Sequence, residues 1–435
     1  MVNVYRLSGM DPGQRKALLR RSEIDVTSHA ALAAEVIARV KNEGDEALLY
    51  YTRKFDGRSL TKNELRVSQE EIEAAYQKLD QPTRETLEYA ADNIQRFHEE
   101  QMPREMWMKT IEKGIIAGEK VTPIADTCLY VPRGKGSFPS VMLMLGIPAT
   151  VAGVPRIVVC TPPGENEEAE IGTLAAAKIA GVTEIYRVGG MQAIAAVAFG
   201  TETVPRLSKV VGPGNAYVSA AKRLLHGVLD TGLPAGPSES IILADEYTDP
   251  GIVALDLLIE AEHGPDSSSL LVTHSRTLAE KVPPLVAERM LQLPEPRRTY
   301  VETVFNRYGG IVLTESLEES IAFVNEYAPE HMEILTEDPF AVLPDIQHAG
   351  EILLGPYTPV TLCNFLMGPN AILPTGSFAR VFSGVSVHDF LKRSSFGYVT
   401  EEGFNRVKDK AARFADLEGF PAHALAVRQR PGTQK

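Results

Sequence analysis

The chain has 435 residues, too many for one ordinary hydrophobic core, so two or more domains are expected. Apolar residues make up 44% and charged residues 23%, the balance of a soluble globular chain, and a net charge of −13 argues against nucleic acid or an anionic membrane as the main partner. The three cysteines, Cys128, Cys160 and Cys363, lack metal-finger spacing and are odd in number, which fits a reducing compartment better than a disulfide framework. The first residues contain no apolar h-region of a signal peptide, so the expected location is cytoplasmic.

The first hundred residues read as helical. Ser28 is placed to cap a helix running through Arg39, and a second helix covers Glu46 to Phe55. Ser68-Gln-Glu-Glu71 is a capping-box pattern leading into Ile72 to Leu79, and Pro82 opens a helix to about Glu100. The apolar stretch from Val141 to Cys160 is broken by Pro148, Pro155 and Arg156, so it reads as a helix followed by a buried strand and not as a membrane span.

From about Leu129 short β-branched runs alternate with alanine-rich helices. Strands are expected at Arg156 to Cys160, Glu184 to Val188 and Lys209 to Val211, each ended by a glycine turn; helices cover Glu167 to Ala180, Gln192 to Phe199 and a segment ending near Leu225. A second block gives strands at Ser240 to Ala244, Ser269 to Thr273, Gly310 to Leu313 and Met332 to Leu335, with helices at Pro250 to Glu262 and Leu317 to Tyr327. Strands alternating with helices imply βαβ units and parallel sheets, so the class is α/β. Ligands of such sheets sit at the carboxyl ends of strands. Residues from about Asp389 onward read as a helical tail.

Neither GxGxxG nor GxxxxGK[ST] occurs. Gly189-Gly190 and Gly212-Pro-Gly-Asn215 each follow a strand and open a helix, so they either present backbone N–H groups to an anion or are ordinary strand-to-helix turns. Glu260 and His263 share one face at a helix end, a spacing that suits a metal as well as a surface pair. Glu330-His331 could supply one base for water and another for a hydroxyl proton, although the dipeptide alone is common. Cys363 reads as a buried inert thiol, with no His or Lys close in sequence, and the Arg133-Gly-Lys135-Gly136 loop reads equally as an anion site or a solvated turn. His423 alone reads as a helix-surface residue.

Taken together the segments resemble the histidinol dehydrogenase family. The matching runs are Leu129-Tyr-Val-Pro132, Val188-Gly-Gly-Met-Gln-Ala-Ile-Ala195, Val211-Gly-Pro-Gly-Asn-Ala-Tyr217, Ala235-Gly-Pro-Ser-Glu239, Ala261-Glu-His-Gly-Pro-Asp266, Ala328-Pro-Glu-His331 and Leu373-Pro-Thr375. Asp389-Phe-Leu-Lys-Arg-Ser-Ser395 and Ala422-His423 also match, in the family's order and over nearly the whole chain. The resemblance implies two incomplete Rossmann-like parallel-sheet domains and an extended helical tail. The expected division is an N-terminal helical segment at 1–26, a first domain at 27–128 and 239–385, a second, nucleotide-side domain at 129–238, and a tail at 386–435 swapped onto the partner of a homodimer.

The implied reaction is oxidation of a primary alcohol through an aldehyde to a carboxylate by NAD, with one zinc ion per subunit; L-histidinol is the family substrate. Glu330 and His331 match the catalytic pair, and Tyr130, Gln192 and Asn215 match nucleotide contacts. His263, Glu260, Asn364 and the partner's His423 match zinc ligands, while Ser238 and the partner's Glu418 match substrate contacts. Three positions depart from the family: Glu260 stands where glutamine is usual, Asn364 where aspartate is usual, and Ala371 where a substrate-contacting histidine is usual. The first two changes conserve one carboxylate and one amide. Arg133 also replaces a more usual glycine. A related enzyme acting on a different, anionic alcohol is the alternative reading, with Arg133 or Lys135 as the anion's partner.

Overall fold

The computed structural model describes residues 2–21, 26–133, 137–164 and 168–430. Lys135 and its flanking glycines lie outside the described residues. The chain forms two compact units, Met1–Gln101 with Ala125–Phe390, and Met102–Ile124 with Leu391–Lys435. The strands in chain order are β1 (Val4–Arg6), β2 (Met106–Glu112), β3 (Ile115–Pro123), β4 (Asp126–Tyr130), β5 (Arg156–Cys160), β6 (Glu184–Tyr186), β7 (Val210–Val211), β8 (Glu239–Ala244), β9 (Ser268–Thr273), β10 (Gly310–Leu313), β11 (His331–Leu335), β12 (Glu351–Leu354) and β13 (Leu391–Val399).

The first unit holds two parallel sheets, so the expected α/β class is found. One has the order β1-β10-β9-β8-β11-β12 and the other β6-β5-β4-β7. Every residue of β8, β9 and β11 is buried, as near-continuous apolar runs require when helices cover both faces. On one face Ile242 and Leu271 meet Val253 and Leu257 of the helix Pro250–Ala261; on the other, Leu243 and Val272 meet Phe323 and Val324 of the helix Leu317–Tyr327. Around the smaller sheet, the helix Gly190–Phe199 buries every residue from Met191 to Ala198, its alanines allowing close packing.

Most expected elements are present, and the departures have local causes. The first long helix begins at Val26, so Ser28 lies inside it and is not its cap. Val4–Arg6 is a strand within the segment read as helical, because pairing with β10 satisfies its backbone. The capping box at Ser68 and Glu71 is formed. The helix Pro139–Val151 carries Pro148, which cannot donate to the carbonyl of Met144; that oxygen instead accepts Asn370 Nδ2 at 2.6 Å.

The second unit is built on the antiparallel sheet β13-β3-β2. The tail therefore starts as a strand and not a helix, with Leu391–Val399 paired residue for residue to Ile115–Pro123. Helices Glu401–Leu417 and Pro421–Arg428 follow, with Arg406 bonded to Glu112 and Arg428 to Asp416. This unit exposes Met108, Ile111, Tyr398, Phe414 and Leu417, the last at 82%. No helix of the described residues is long and apolar enough to cross a membrane.

Asn370 Nδ2 also donates to His98 Nε2 at 3.2 Å, so this buried ring nitrogen must stay unprotonated. Burial lowers the His98 pKa to about 4. The unfolded chain takes up this proton near pH 6.5 and the folded chain does not. The stability tied to neutral His98 is thus intact above pH 6.5 and is lost progressively down to pH 4, by at most ~1.4 kcal/mol per pH unit. Denaturant unfolding of His98→Gln between pH 6.5 and 4 is expected to show a shallower fall than the parent; identical slopes would contradict this account.

Candidate functional site

The candidate residues gather at the amino ends of three neighbouring strands of the larger sheet. The chain leaves the helix Leu317–Tyr327 through Ala328 at φ 52°, a left-handed turn that sets Glu330 and His331 at the mouth of β11. β11 lies between β8 and β12, with His331 beside Ser240 and Glu351. This is the opposite end from the carboxyl ends expected, and the helix Pro250–Ala261 explains it. That helix runs back over the sheet after β8, so its C-terminus delivers Glu260 and His263 to the strands' amino ends.

Glu330 is buried, and its Oε2 accepts the Glu239 N–H at 2.9 Å. Its pKa stands well above the usual carboxylate range because of burial, with Glu260 and Glu239 adding to the rise and His331 opposing it. His331 Nε2 is 3.8 Å from Glu330 Oε1, and its Nδ1 is hydrogen-bonded to Glu351 Oε1. Burial lowers the imidazole pKa, but the carboxylates of Glu260, Glu330 and Glu351 outweigh it and lift the value to about 10.

Glu260 is fully buried. One oxygen accepts Asn364 Nδ2 at 3.1 Å; the other has no hydrogen bond and faces His263 Nδ1 at 3.2 Å. His263 Nδ1 is also 3.0 Å from Ser238 Oγ. Ser238, Glu260, His263 and Asn364 are thus brought together beside Glu330 and His331. A carboxylate at a helix C-terminus lies at the wrong end of the helix dipole, so a cation is the natural occupant. An orphaned carboxylate oxygen, an imidazole and an amide fit the donor preferences of zinc. Among the described residues no three His, Cys, Asp or Glu converge on one metal position. Ala371 is half-buried and brings no polar side chain.

Several residues escaped the sequence reading. Glu351 was invisible because only the pairing of β12 with β11 sets it beside His331. Arg21, also at positive φ, forms a buried ion pair with Glu239 and lies over the Tyr327 ring, 3.5 Å from its centroid. Glu239 Oε1 accepts the Gly376 N–H at 2.9 Å. Cys363 is buried, donates to Glu351 Oε2, and has a thiol pKa pushed far up by burial and that carboxylate, so it is no nucleophile.

Tyr130, Gln192 and Asn215, the expected nucleotide contacts, lie around the smaller sheet, at the carboxyl ends of its strands. Strand order reverses between β4 and β7, the kind of switch point where open α/β sheets bind ligands. Tyr130 ends β4 and its hydroxyl accepts the Gly190 N–H at 3.0 Å. Gly212 follows β7 at φ 130°, where a Cβ would lie 2.2 Å from the Tyr130 carbonyl. Gln192 is fully buried with neither end of its amide hydrogen-bonded. Asn215 caps the helix Ala216–Leu225 through its Oδ1. Arg133 donates to the Pro162 carbonyl at 3.3 Å. His423 and Glu418 belong to the second unit, where both are exposed.

The histidinol dehydrogenase family model matches residues 19–431. The chain is 53% identical to the histidinol dehydrogenase of Synechocystis sp. over 430 residues, covering 99% of both. It is 50% identical over 427 residues to histidinol dehydrogenase homolog 2 of Mesorhizobium japonicum, covering 98% of this chain and 97% of that one. The crystal structure of histidinol dehydrogenase from Elizabethkingia anophelis superposes with a TM-score of 0.91 at 35% identity, over 98% of this chain and 97% of that one.

The chain belongs to the histidinol dehydrogenase family. Members of the histidinol dehydrogenase family are NAD-dependent oxidoreductases acting on CH–OH groups, so this chain is an enzyme of that class with a small-molecule substrate. Membership is consistent with L-histidinol oxidation in histidine biosynthesis. The matched span includes Glu260 and Asn364, which are hydrogen-bonded to each other.

Exchanging those two side chains tests their coupling. Glu260→Gln removes the anionic donor, and Asn364→Asp sets a second carboxylate against a buried one. Both single variants are expected to lose stability by about 1–3 kcal/mol in denaturant unfolding. The double exchange, which restores one carboxylate beside one amide, is expected to recover most of that loss. Independent, additive effects would show that the two positions do not act as a unit.

Proposed function

We propose that the enzyme oxidises L-histidinol to L-histidine through the aldehyde, reducing two NAD+ as the last steps of histidine biosynthesis. The observation that carries the reading is the buried Glu330–His331 pair lying beside Ser238, Glu260, His263 and Asn364.

His331 is the base that takes the alcohol proton at Nε2 as hydride leaves the carbon. Glu330, close to that nitrogen, then draws the proton from the water that attacks the aldehyde while His331 returns its own proton to the carbonyl oxygen, giving the gem-diol. His331, neutral again, takes a hydroxyl proton of the diol as the second hydride leaves. Burial of both groups excludes stray water and strengthens each charge interaction. Ser238, Glu260, His263 and Asn364 hold the far end of the substrate, so that its terminal carbon is fixed before reaction. Zinc, when bound by Glu260, His263, Asn364 and the partner's His423, supplies the anchor for the substrate's imidazole and amino nitrogens, and NAD+ supplies the hydride acceptor.

Tyr130, Gln192 and Asn215 are the nucleotide contacts in this reading. The buried, unpaired amide of Gln192 supports it, since such a group costs roughly 1–3 kcal/mol until something bonds to it. Glu418 and His423 act across a homodimer, completing the partner's site. The exposed apolar side chains of the second unit, among them Met108, Ile111, Tyr398, Phe414 and Leu417, support that.

NADH formation with L-histidinol and zinc-loaded protein is expected to give two NADH per substrate. Glu330→Gln is expected to slow the aldehyde step by roughly 10²-fold while sparing the alcohol step. Equal losses in the two steps would contradict the role of Glu330. No turnover of L-histidinol by folded, zinc-loaded protein would overturn the substrate and turn attention to an anionic alcohol.

Mixing His423→Ala with His331→Gln chains tests the shared site. Each variant is inactive alone, but a hybrid dimer contains one intact core facing one intact tail. Random 1:1 exchange is expected to recover about a quarter of parental activity. Absence of recovery in verified hybrids would sink the cross-subunit assignment.

A further inference from the structure

The amino ends of β11 and β12 carry a hydrogen-bonded chain that the roles above do not use. In the parallel register His331 stands directly beside Glu351, on the same face of the sheet. His331 Nδ1 is bonded to Glu351 Oε1, and Glu351 Oε2 accepts the Cys363 thiol. The His331 and Glu351 side chains are 3% and 7% exposed, so water does not compete for these bonds. Cys363 is wholly buried in the short helix Val360–Phe365, and its neighbour Asn364 reaches the other way, to Glu260. Both Glu351 oxygens are therefore engaged, and the carboxylate has one fixed orientation. His331 Nε2 is left facing Glu330.

We infer that Glu351 is a positioning residue for His331, holding the imidazole in the Nδ1–H form so that Nε2 carries the lone pair that accepts the substrate's hydroxyl proton. The inference rests on reading His331 as the base. A carboxylate bonded to one ring nitrogen selects the tautomer, orients the ring and steadies the imidazolium that forms. In the step concerned the O–H bond breaks toward Nε2, the carbon–hydrogen pair leaves as hydride for the nicotinamide, and a C=O bond forms. The Nδ1 proton stays between His331 and Glu351 throughout, so the carboxylate remains ionised and is not a proton carrier. Cys363 acts through Glu351 alone; its S–H fixes the second oxygen, which is why a buried thiol sits here without being a nucleophile.

The arrangement also separates the two acids near the ring. Glu330 is reached from Nε2 and faces the reacting atoms; Glu351 lies behind the ring, on Nδ1. Removing the first should damage one oxidation. Removing the second should damage both, because His331 accepts a hydroxyl proton in each.

Glu351→Gln tests this, since it keeps the shape and removes the charge. Rates are measured separately with L-histidinol and with L-histidinal. The expected result is a fall in kcat of at least ~10²-fold in both steps, with KM and bound zinc unchanged, and partial recovery in Glu351→Asp. Nitrogen-15 spectra of histidine-labelled holoenzyme, with the His331 signal identified by its loss in His331→Gln, supply a readout independent of activity. Followed through the titration of the ring, the parent is expected to keep Nδ1 protonated while Nε2 loses its proton, and Glu351→Gln to lose that preference. Glu351→Gln activity within threefold of the parent, or an unchanged tautomer, would overturn the inference. If His331→Gln itself remained active, the reading of His331 as the base would fail; an inactive His331→Gln beside an active Glu351→Gln would refute the role of Glu351 alone.

Discussion

A buried carboxylate is costly unless an opposite charge or several hydrogen bonds meet it, and this enzyme crowds several of them around the amino ends of three adjacent strands. Each is met differently. Glu239 has Arg21 and the Gly376 N–H. Glu351 has His331 and Cys363. Glu333, two residues along β11 from His331, accepts the Val360 N–H, and burial together with the neighbouring Asp256 raises its pKa well above the ordinary range. Glu330 has a backbone N–H and the edge of the His331 ring, and Glu260 keeps one oxygen without a hydrogen bond. The carboxylates with complete partners form the rigid backing of the site. Glu333, Glu330 and Glu260 are left incomplete, and the last two are those to which catalysis and metal binding are assigned.

This distribution ties the fold to the chemistry. Strand β8 is the hinge of the arrangement, since its first residues reach Arg21, Glu330 and Gly376 through a single glutamate and its backbone. A truncation that frees Arg21 leaves Glu239 as an unpaired buried charge, a loss of about 3–5 kcal/mol at sites of this kind. The N-terminal segment therefore bears on the active site although it contributes no reacting group.

Local patterns were readable where one residue type dictates local geometry. The run Gly310–Leu313 and the helix Leu317–Tyr327 follow directly from apolar spacing, and in the structure Ser316 caps the helix. The pair Glu260 and His263 was legible as one helical face, and Glu330-His331 as adjacent bases. What sequence spacing could not show was which elements become neighbours. Nothing local marks Glu351 as the partner of His331, since twenty residues and a strand register separate them. The short edge strand Val4–Arg6 and the tail strand Leu391–Val399 were missed for the same reason: each is a strand because a distant strand lies beside it. The end of the sheet used for chemistry also depended on helix direction and not on strand pattern.

The pairing of Leu391–Val399 with Ile115–Pro123 has a consequence for how the molecule is made. One half of the second unit leaves the ribosome well before the other, with residues 125–390 synthesised between them. Until Leu391–Val399 emerges, the hairpin Met106–Pro123 presents β3 as an unpaired edge. Such an edge is a template for pairing with other chains. The tail strand is thus a late-arriving cover as well as the lead-in to Glu418 and His423, and chains terminated before it keep their first-unit cores while losing their protection against self-association.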